Sequence, residues 1–225
     1  MTISSASTMS ESALRDEICR VGASLYARGY VHASAGNISV RLADGGFLIT
    51  PTDACLGQLD PARLAAVNQA GEQTSGDRAS KTLALHRQIY AADAGAACVI
   101  HSHCTHLVAL TLAGVWTPDD ILPPITPYFV MKVGHVPLVP YHRPGDPAVG
   151  EWVAARIRRQ HAAGQPIRAV MLDRLGPNVW HHSPAEASAV LEELEETARL
   201  WLLVRPAPLS ESQIDALRRE FGATW

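Results

Sequence analysis

Two histidines separated by a single residue are the clearest candidates for chemistry in this sequence. His101 and His103 lie in the segment VIHSHCTH at 99–106, which begins with a short apolar, β-branched run typical of a buried strand. Because alternate residues of a strand point to the same face, both imidazoles can reach one metal ion. Strand ends are also where α/β folds bind ligands. The segment therefore predicts a metal-binding pair, although two half-buried, hydrogen-bonded histidines would show the same spacing.

Two further segments could bind an anion such as phosphate. The loop SAGNIS at 34–39 combines Gly36, which permits close backbone approach, with the polar side chains of Ser34 and Asn37. Ser80 and Lys81 stand where a helix is predicted to open, so free backbone N–H groups, the helix dipole and an ammonium all favour an anion there. Considered separately, a plain turn and an ordinary helix cap also explain these two segments.

Helices and strands are mixed along the whole sequence. Apolar residues at helical spacing predict a first helix that ends near Gly29 and later helices that open near Ser80, Asp146, Ser183 and Ser210. Short apolar or alternating runs predict strands at 37–42, 47–50, 97–103, 168–173 and 179–182, with the turn LGPN at 175–178 before the last of them. We therefore expect one α/β domain over residues 1–225, with its core at about 10–205 and a C-terminal helix at about 210–222.

Composition and charge exclude several classes of protein. The chain has 225 residues, of which 47% are hydrophobic and 18% charged, which excludes a disordered chain, a collagen and a coiled coil. A formal net charge of −3 predicts no nucleic-acid partner, and no apolar run reaches the roughly 20 residues of a membrane span. No secretory signal is visible, and the four cysteines form no CxxC pair. These features predict a cytoplasmic protein with reduced thiols.

Six segments taken together resemble the class II aldolase/adducin family. They are SAGNIS, FLITPTDACLGQLDP, SGDRASK, VIHSHCTH, TPYFVMKVGHVPLVPYHRPGD and EELEETARL, and they follow one another within about residues 10–205. The second and fifth segments resemble in particular the 3-oxo-tetronate 4-phosphate decarboxylase branch, with L-fuculose-phosphate aldolases as more distant relatives. The resemblance implies a three-layer α/β/α fold with a central mixed sheet. It also implies a homotetramer with active sites at the subunit contacts.

The same resemblance implies the roles of individual residues. It implies one Zn²⁺ per subunit, bound by His101 and His103. It assigns the substrate phosphate to a set of residues from three segments, namely Ser34, Gly36, Asn37, Thr52, Ser80 and Lys81. Tyr128 stands where the aldolases have an active-site tyrosine. Lys81 joins it in the candidate catalytic set because either side chain can protonate the carbanion left by decarboxylation.

Two positions depart from the family. Where the family usually has a glutamate that serves as metal ligand and general base, this chain has Thr82, which also belongs to the candidate catalytic set. Where the family has a third histidine ligand, this chain has Leu175, which cannot bind a metal. We therefore expect a site made of two histidines and water. The candidates for an additional ligand are His106, which we favour, Asp173 and His142.

Three functions are open at this point. Decarboxylation of a 3-oxo-tetronate 4-phosphate to dihydroxyacetone phosphate and CO₂ needs no prior removal of a C–H proton, so the loss of the glutamate harms this reaction least. An aldolase acting on a phosphorylated sugar depends on a base, and Thr82 argues against it. A catalytically silent subunit with a binding or structural role, as in adducins, fits Thr82 and Leu175 but not the retained histidine pair. Decarboxylation is the function that we expect.

Overall fold

One mixed eight-stranded sheet forms the centre of the protein, as the computed structural model describes it for residues 9–225. In spatial order the strands run β4-β3-β2-β1-β5-β8-β7-β6, and only the β6–β7 pair is parallel. The strands are β1 (Asn37–Arg41), β2 (Phe47–Ile49), β3 (Ala65–Val67), β4 (Gln73–Ser75), β5 (Cys98–His101), β6 (Leu138–Val139), β7 (Ala169–Leu172) and β8 (Gly176–His181).

Helices cover both faces of this sheet. They are α1 (Glu11–Ala27), α2 (Leu83–Ala92), α3 (Thr105–Ala113), α4 (Pro147–Ala162), α5 (Pro184–Val204) and α6 (Glu211–Phe221). One apolar cluster joins α1, α3, α5 and a π-helical turn at Phe129–Val133 to one face, and a second cluster joins α2 and α4 to the other. The three-layer α/β/α fold with a central mixed sheet is thus confirmed. No helix within residues 9–225 is long and apolar enough to cross a membrane.

Local capping signals explain where several helices begin. Asp146 accepts a hydrogen bond from the backbone N–H of Ala148 and is followed by proline at the first helical position, while the Ser183 hydroxyl accepts from the N–H of Glu186. Ser210 and Gln213 form a complete capping box at the start of α6. These short-range contacts are the reason that the starts of α4, α5 and α6 agree with the sequence prediction.

The start of α2 and the last turn of the sheet differ from the prediction. Helix α2 begins at Leu83 rather than near Ser80, because the Ser80 hydroxyl accepts a hydrogen bond from the N–H of Thr82 and forms a separate turn. The final hairpin turns at 173–175, and β8 already includes Gly176 and Pro177, which we had predicted as turn residues. Glycine is required there because a Cβ at position 176 would lie 2.0 Å from the carbonyl oxygen of Ser102 on the neighbouring chain segment.

Candidate active site

The structure brings the imidazoles of His101 and His103 together. His101 ends strand β5, and the two Nε2 atoms lie 3.2 Å apart. Two nitrogen ligands bound at about 2.0–2.1 Å to one tetrahedral zinc ion lie about 3.3–3.4 Å from each other. The observed spacing therefore fits two neighbouring positions in one metal coordination sphere.

The surroundings of this pair keep both histidines neutral. The Nδ1 of His101 lies 2.9 Å from the carbonyl oxygen of Pro177, and donation to that oxygen leaves the Nε2 lone pair free for a metal. Burial, and then the proximity of His103, lowers the pKa of His101 to about 4. Burial, and then the proximity of His32, also lowers the pKa of His103. Neutral imidazoles are the form that binds metal ions.

The SAGNIS loop leads directly to this pair. Gly36 has a φ of +82°, and a Cβ there would lie 2.9 Å from the carbonyl oxygen of His101, so the close approach needs glycine. Asn37 is buried and pairs with His101 across strands β1 and β5. The exposed Ser34 lies three residues earlier on the same loop. The loop predicted to bind an anion is therefore next to the predicted metal pair.

The segment around Ser80 and Lys81, the second one predicted to bind an anion, lies beside a part of the chain that is distant in sequence. The N–H of Thr52 donates to the carbonyl of Arg78 at 2.8 Å, and its hydroxyl donates to the carbonyl of Ala79 at 3.0 Å. The N–H of Ser80 donates in turn to the carbonyl of Thr50 at 3.3 Å. The side-chain hydroxyl of Thr50 also accepts a hydrogen bond from the N–H of Ile38, the residue after Asn37. Backbone pairing thus links the Thr52 and Ser80 segments to the start of β1.

The three residues assigned to catalysis differ in their placement. The hydroxyl of Thr82 lies 2.8 Å from that of Ser80, so it belongs to the same turn. Lys81 is exposed between them. Tyr128 precedes the π-helical turn with 63% of its side chain exposed, and its hydroxyl makes no hydrogen bond to the rest of residues 9–225. The chain therefore holds Thr82 in place but leaves the side chains of Lys81 and Tyr128 in solvent.

A buried polar row beside His101 had no counterpart in the prediction. Asn178 on β8 pairs with His101 from the side opposite Asn37, so the three residues lie across adjacent strands on one face. His86 of α2 covers this face, with its Nδ1 2.8 Å from the Ser39 hydroxyl. The Asn37 Oδ1, the His86 Nε2 and both polar side-chain atoms of Asn178 are buried without a hydrogen-bond partner within the described chain. Such atoms require a polar partner, so the row favours binding of water or a polar ligand.

Sequence reasoning missed this row for identifiable reasons. His86 has helical spacing with the apolar residues Leu83, Ile89 and Tyr90, a pattern that indicates a core position rather than a site residue. Burial, and then the proximity of His101, lowers the pKa of His86 to about 3, so it is neutral there. Asn178 follows a Gly-Pro pair, which favours a turn and concealed the strand. Only the pairing of β1, β5 and β8 brings these side chains together.

Two of the three additional ligands considered from the sequence, His106 and His142, have other side-chain contacts. The Nδ1 of His106 lies 2.7 Å from the Glu195 carboxylate, which also accepts from the N–H groups at the start of α3. The Nδ1 of His142 lies 3.4 Å from Asp146, and Leu175 packs on the apolar cluster between the sheet and helices α2 and α4. Across residues 9–225, no three His, Cys, Asp or Glu side chains are arranged to bind one metal ion. Of the predicted ligands, the structure therefore brings only the Nε2 atoms of His101 and His103 together at a spacing that fits one metal ion.

Comparison with known proteins identifies the family of this chain. Residues 16–202 match the family described as class II aldolase and adducin N-terminal domain. The chain is 58% identical to a 3-oxo-tetronate 4-phosphate decarboxylase of Cupriavidus necator, over 96% of this chain and 99% of the relative. It is 42% identical to the solved structure of YgbL from Klebsiella pneumoniae, with a TM-score of 0.85 over 93% of this chain and 100% of that one. It is 27% identical to L-fuculose-1-phosphate aldolase of Thermus thermophilus, with a TM-score of 0.69 over 86% and 98% of the two chains.

Proposed function

Because this chain belongs to the class II aldolase and adducin family, we propose that it is a lyase that decarboxylates a 3-oxo-tetronate 4-phosphate to dihydroxyacetone phosphate and CO₂. The observation that carries the proposal is the pair of histidine nitrogens 3.2 Å apart, next to a loop rich in polar side chains. The relative that carries this activity in its name, at 58% identity over nearly the whole chain, supports it. The test is release of CO₂ and dihydroxyacetone phosphate from that acid by the purified protein.

We propose that one Zn²⁺ per subunit binds to His101 and His103. When bound, zinc would polarise the ketone of the substrate and stabilise the negative charge that develops during loss of CO₂. The carbonyl of Pro177 fixes the orientation of the His101 ring through Nδ1. This hydrogen bond to Nδ1 would keep the lone pair of the His101 Nε2 directed toward the metal ion.

The reaction makes few demands on an acid or base. The C1–C2 bond breaks and C1 leaves as CO₂. The electron pair of the broken bond forms a double bond between C2 and C3, and the π electrons of the C3 ketone move onto its oxygen. The resulting enediolate then takes one proton at C2 to give dihydroxyacetone phosphate. Tyr128, Lys81 or water could supply that proton, and Thr82 is not needed as a base. Because decarboxylation needs no base at this position, a family member with Thr82 in place of glutamate can keep a lyase activity.

We further propose that the substrate phosphate binds where the two anion segments meet the start of β1. Gly36 allows the loop backbone to approach closely, and the polar partners are the side chains of Ser34, Asn37, Thr52, Ser80 and Lys81. The Thr52 hydroxyl would exchange its bond to the Ala79 carbonyl for one to the phosphate. The backbone contacts between the Thr52 and Ser80 segments support this grouping. The unpaired Oδ1 of Asn37 would face substrate hydroxyls or water rather than the phosphate, since a carbonyl oxygen does not donate.

Removing the ammonium of Lys81 should weaken substrate binding. We expect Lys81→Ala to raise the KM for the phosphorylated acid about 10–100-fold, the effect of losing one charge-assisted hydrogen bond, with a smaller change in kcat. Folding should be unaffected because Lys81 is exposed. Steady-state kinetics check this, with Arg158→Ala as a control that removes an exposed cation from α4. Equal use of the unphosphorylated acid by the wild-type protein would argue decisively against a phosphate site.

We propose that the protein is a cytoplasmic homotetramer with small-molecule substrates. Several large apolar side chains are exposed on the single chain and would be covered in an assembly, among them Leu112, Tyr141, Leu203 and Val204. Light scattering should give four times the mass of the chain, and a monomer at working concentration would contradict the proposal.

The other two functions have less support. An aldolase needs a base in both directions, to remove a C–H proton in condensation or an O–H proton in cleavage, and the hydroxyl of Thr82 is a weak base already bonded to Ser80. A silent subunit fits less well with the retained His101 and His103, whose spacing suits one metal ion as well as a direct hydrogen bond, and with the 58% identity to a relative named as a decarboxylase. Decarboxylation is therefore the function that the geometry supports best.

A further inference from the structure

We propose that His32 is the third protein ligand of the metal in this chain, replacing the histidine that the family has at the position of Leu175. This assignment rests on the metal site of the proposed function and adds to it a residue from a different segment. The SAGNIS loop follows His32 closely, so the ligand would come from the side of β1 rather than from the β7–β8 hairpin.

The ring of His32 lies next to that of His103. The two ring centroids are 6.3 Å apart, and the planes are nearly perpendicular at 78°. The centroids of His101 and His103, whose nitrogens already have the spacing of two metal ligands, are 5.0 Å apart. The centroid of His32 is therefore 1.3 Å farther from that of His103 than the centroid of His101 is, and a change in its side-chain torsions has to bring a ring nitrogen to the pair. Its side chain is exposed, so a rotation about its own bonds can supply this movement.

The backbone around His32 is bent so that the residue faces the end of β5. Ala33 has a φ of +48°, a left-handed conformation that costs a residue other than glycine about 1 kcal/mol or more. The N–H of Ala35 donates to the carbonyl of His32 at 2.9 Å and closes the turn. Gly36 then packs against the carbonyl of His101. A strained turn fixed at both ends is typical of a segment that positions a functional side chain.

The remaining histidines near this end of the sheet are less suited to the role. His106 is bonded to Glu195 at the start of α3. His86 is fully buried on the sheet-facing side of α2 and bonded to Ser39, so it cannot move toward the pair as an exposed side chain can. Leu175 has no donor atom. His32 is thus the histidine that combines proximity to His103 with freedom to rotate.

Zinc affinity in a set of four variants tests this assignment. The variants are His32→Ala, Leu175→His, the double variant, and the control His182→Ala, which removes an exposed histidine bonded to Gly95. Competition with a chromogenic chelator measures the affinity for Zn²⁺ alone, and visible absorption of the Co²⁺-loaded protein reports the ligand set. We expect His32→Ala to weaken zinc binding by at least about tenfold, and Leu175→His to restore it in that background. The control should bind zinc as the wild-type protein does.

Two results would overturn the assignment, and they are distinguishable. Zinc affinity and Co²⁺ absorption that are unchanged in His32→Ala would exclude His32 while leaving the two-histidine site intact. A wild-type protein that binds no zinc after incubation with an excess would overturn the metal site itself, and the assignment of His32 with it.

Discussion

Replacing His103 with alanine is expected to remove the bound zinc and to lower the rate of decarboxylation by about 100-fold or more. The reason is geometric, because the Nε2 of His103 lies 3.2 Å from that of His101, a spacing that fits two ligands of one metal ion. The side chain is only partly buried, so the thermal stability of the metal-free protein should change little. Zinc content by elemental analysis and the rate of CO₂ release measure the two effects together.

A matched histidine variant shows whether this effect is specific. His182→Ala removes an imidazole whose Nδ1 is bonded to the carbonyl of Gly95, on a different part of the surface. It should keep both zinc and activity. A His103→Ala protein that decarboxylates at the wild-type rate would show that the histidine pair does not take part in the reaction.

The second large effect is expected from Gly176→Ala, which should destabilise the protein by about 3–5 kcal/mol. The added Cβ would lie 2.0 Å from the carbonyl oxygen of Ser102, and a φ of +144° is itself unfavourable for alanine. Strands β5 and β8 would have to separate at the point where His101 is bonded to Pro177. Urea unfolding should therefore show a lower midpoint, and zinc binding should weaken as well.

Gly164→Ala is the control for this substitution. Gly164 also has a positive φ, +73°, but nothing lies within 4 Å of a Cβ built there, so only the backbone cost of about 1–2 kcal/mol applies. If both variants unfolded at the same urea concentration, the close approach of β8 to Ser102 would contribute nothing to stability.

Local signals account for the parts of the structure that the sequence predicted well. The spacing of His101 and His103 depends only on the alternation of side chains at the end of a strand. The starts of α4 and α6 depend on caps that bond to residues two or three positions away. Resemblance to the family added the layered arrangement, which the structure confirms. None of these predictions needed a contact between distant segments.

The residues that the sequence did not predict depend on such distant contacts. Asn178 enters the site because β8 pairs with β5, and its Gly-Pro neighbours had indicated a turn instead. The ring of His32 lies 6.3 Å from that of His103 because the loop before β1 brings it to the end of β5. For the same reason His106, which is near the pair in sequence, is instead bonded to Glu195 on α5. Separation in sequence was therefore a poor guide to which side chains lie together at this end of the sheet.

We expect this chain to be a decarboxylase whose metal site is built on two paired histidines. The most direct test is incubation of the zinc-loaded protein with a 3-oxo-tetronate 4-phosphate labelled with carbon-13 at C1, followed by nuclear magnetic resonance of the products. We predict that the label leaves as CO₂ and that one unlabelled dihydroxyacetone phosphate forms for each substrate molecule consumed. Two results would contradict decarboxylation by this protein. One is label retained in an organic product after cleavage of the C2–C3 bond, and the other is no consumption of the substrate by protein that has bound zinc.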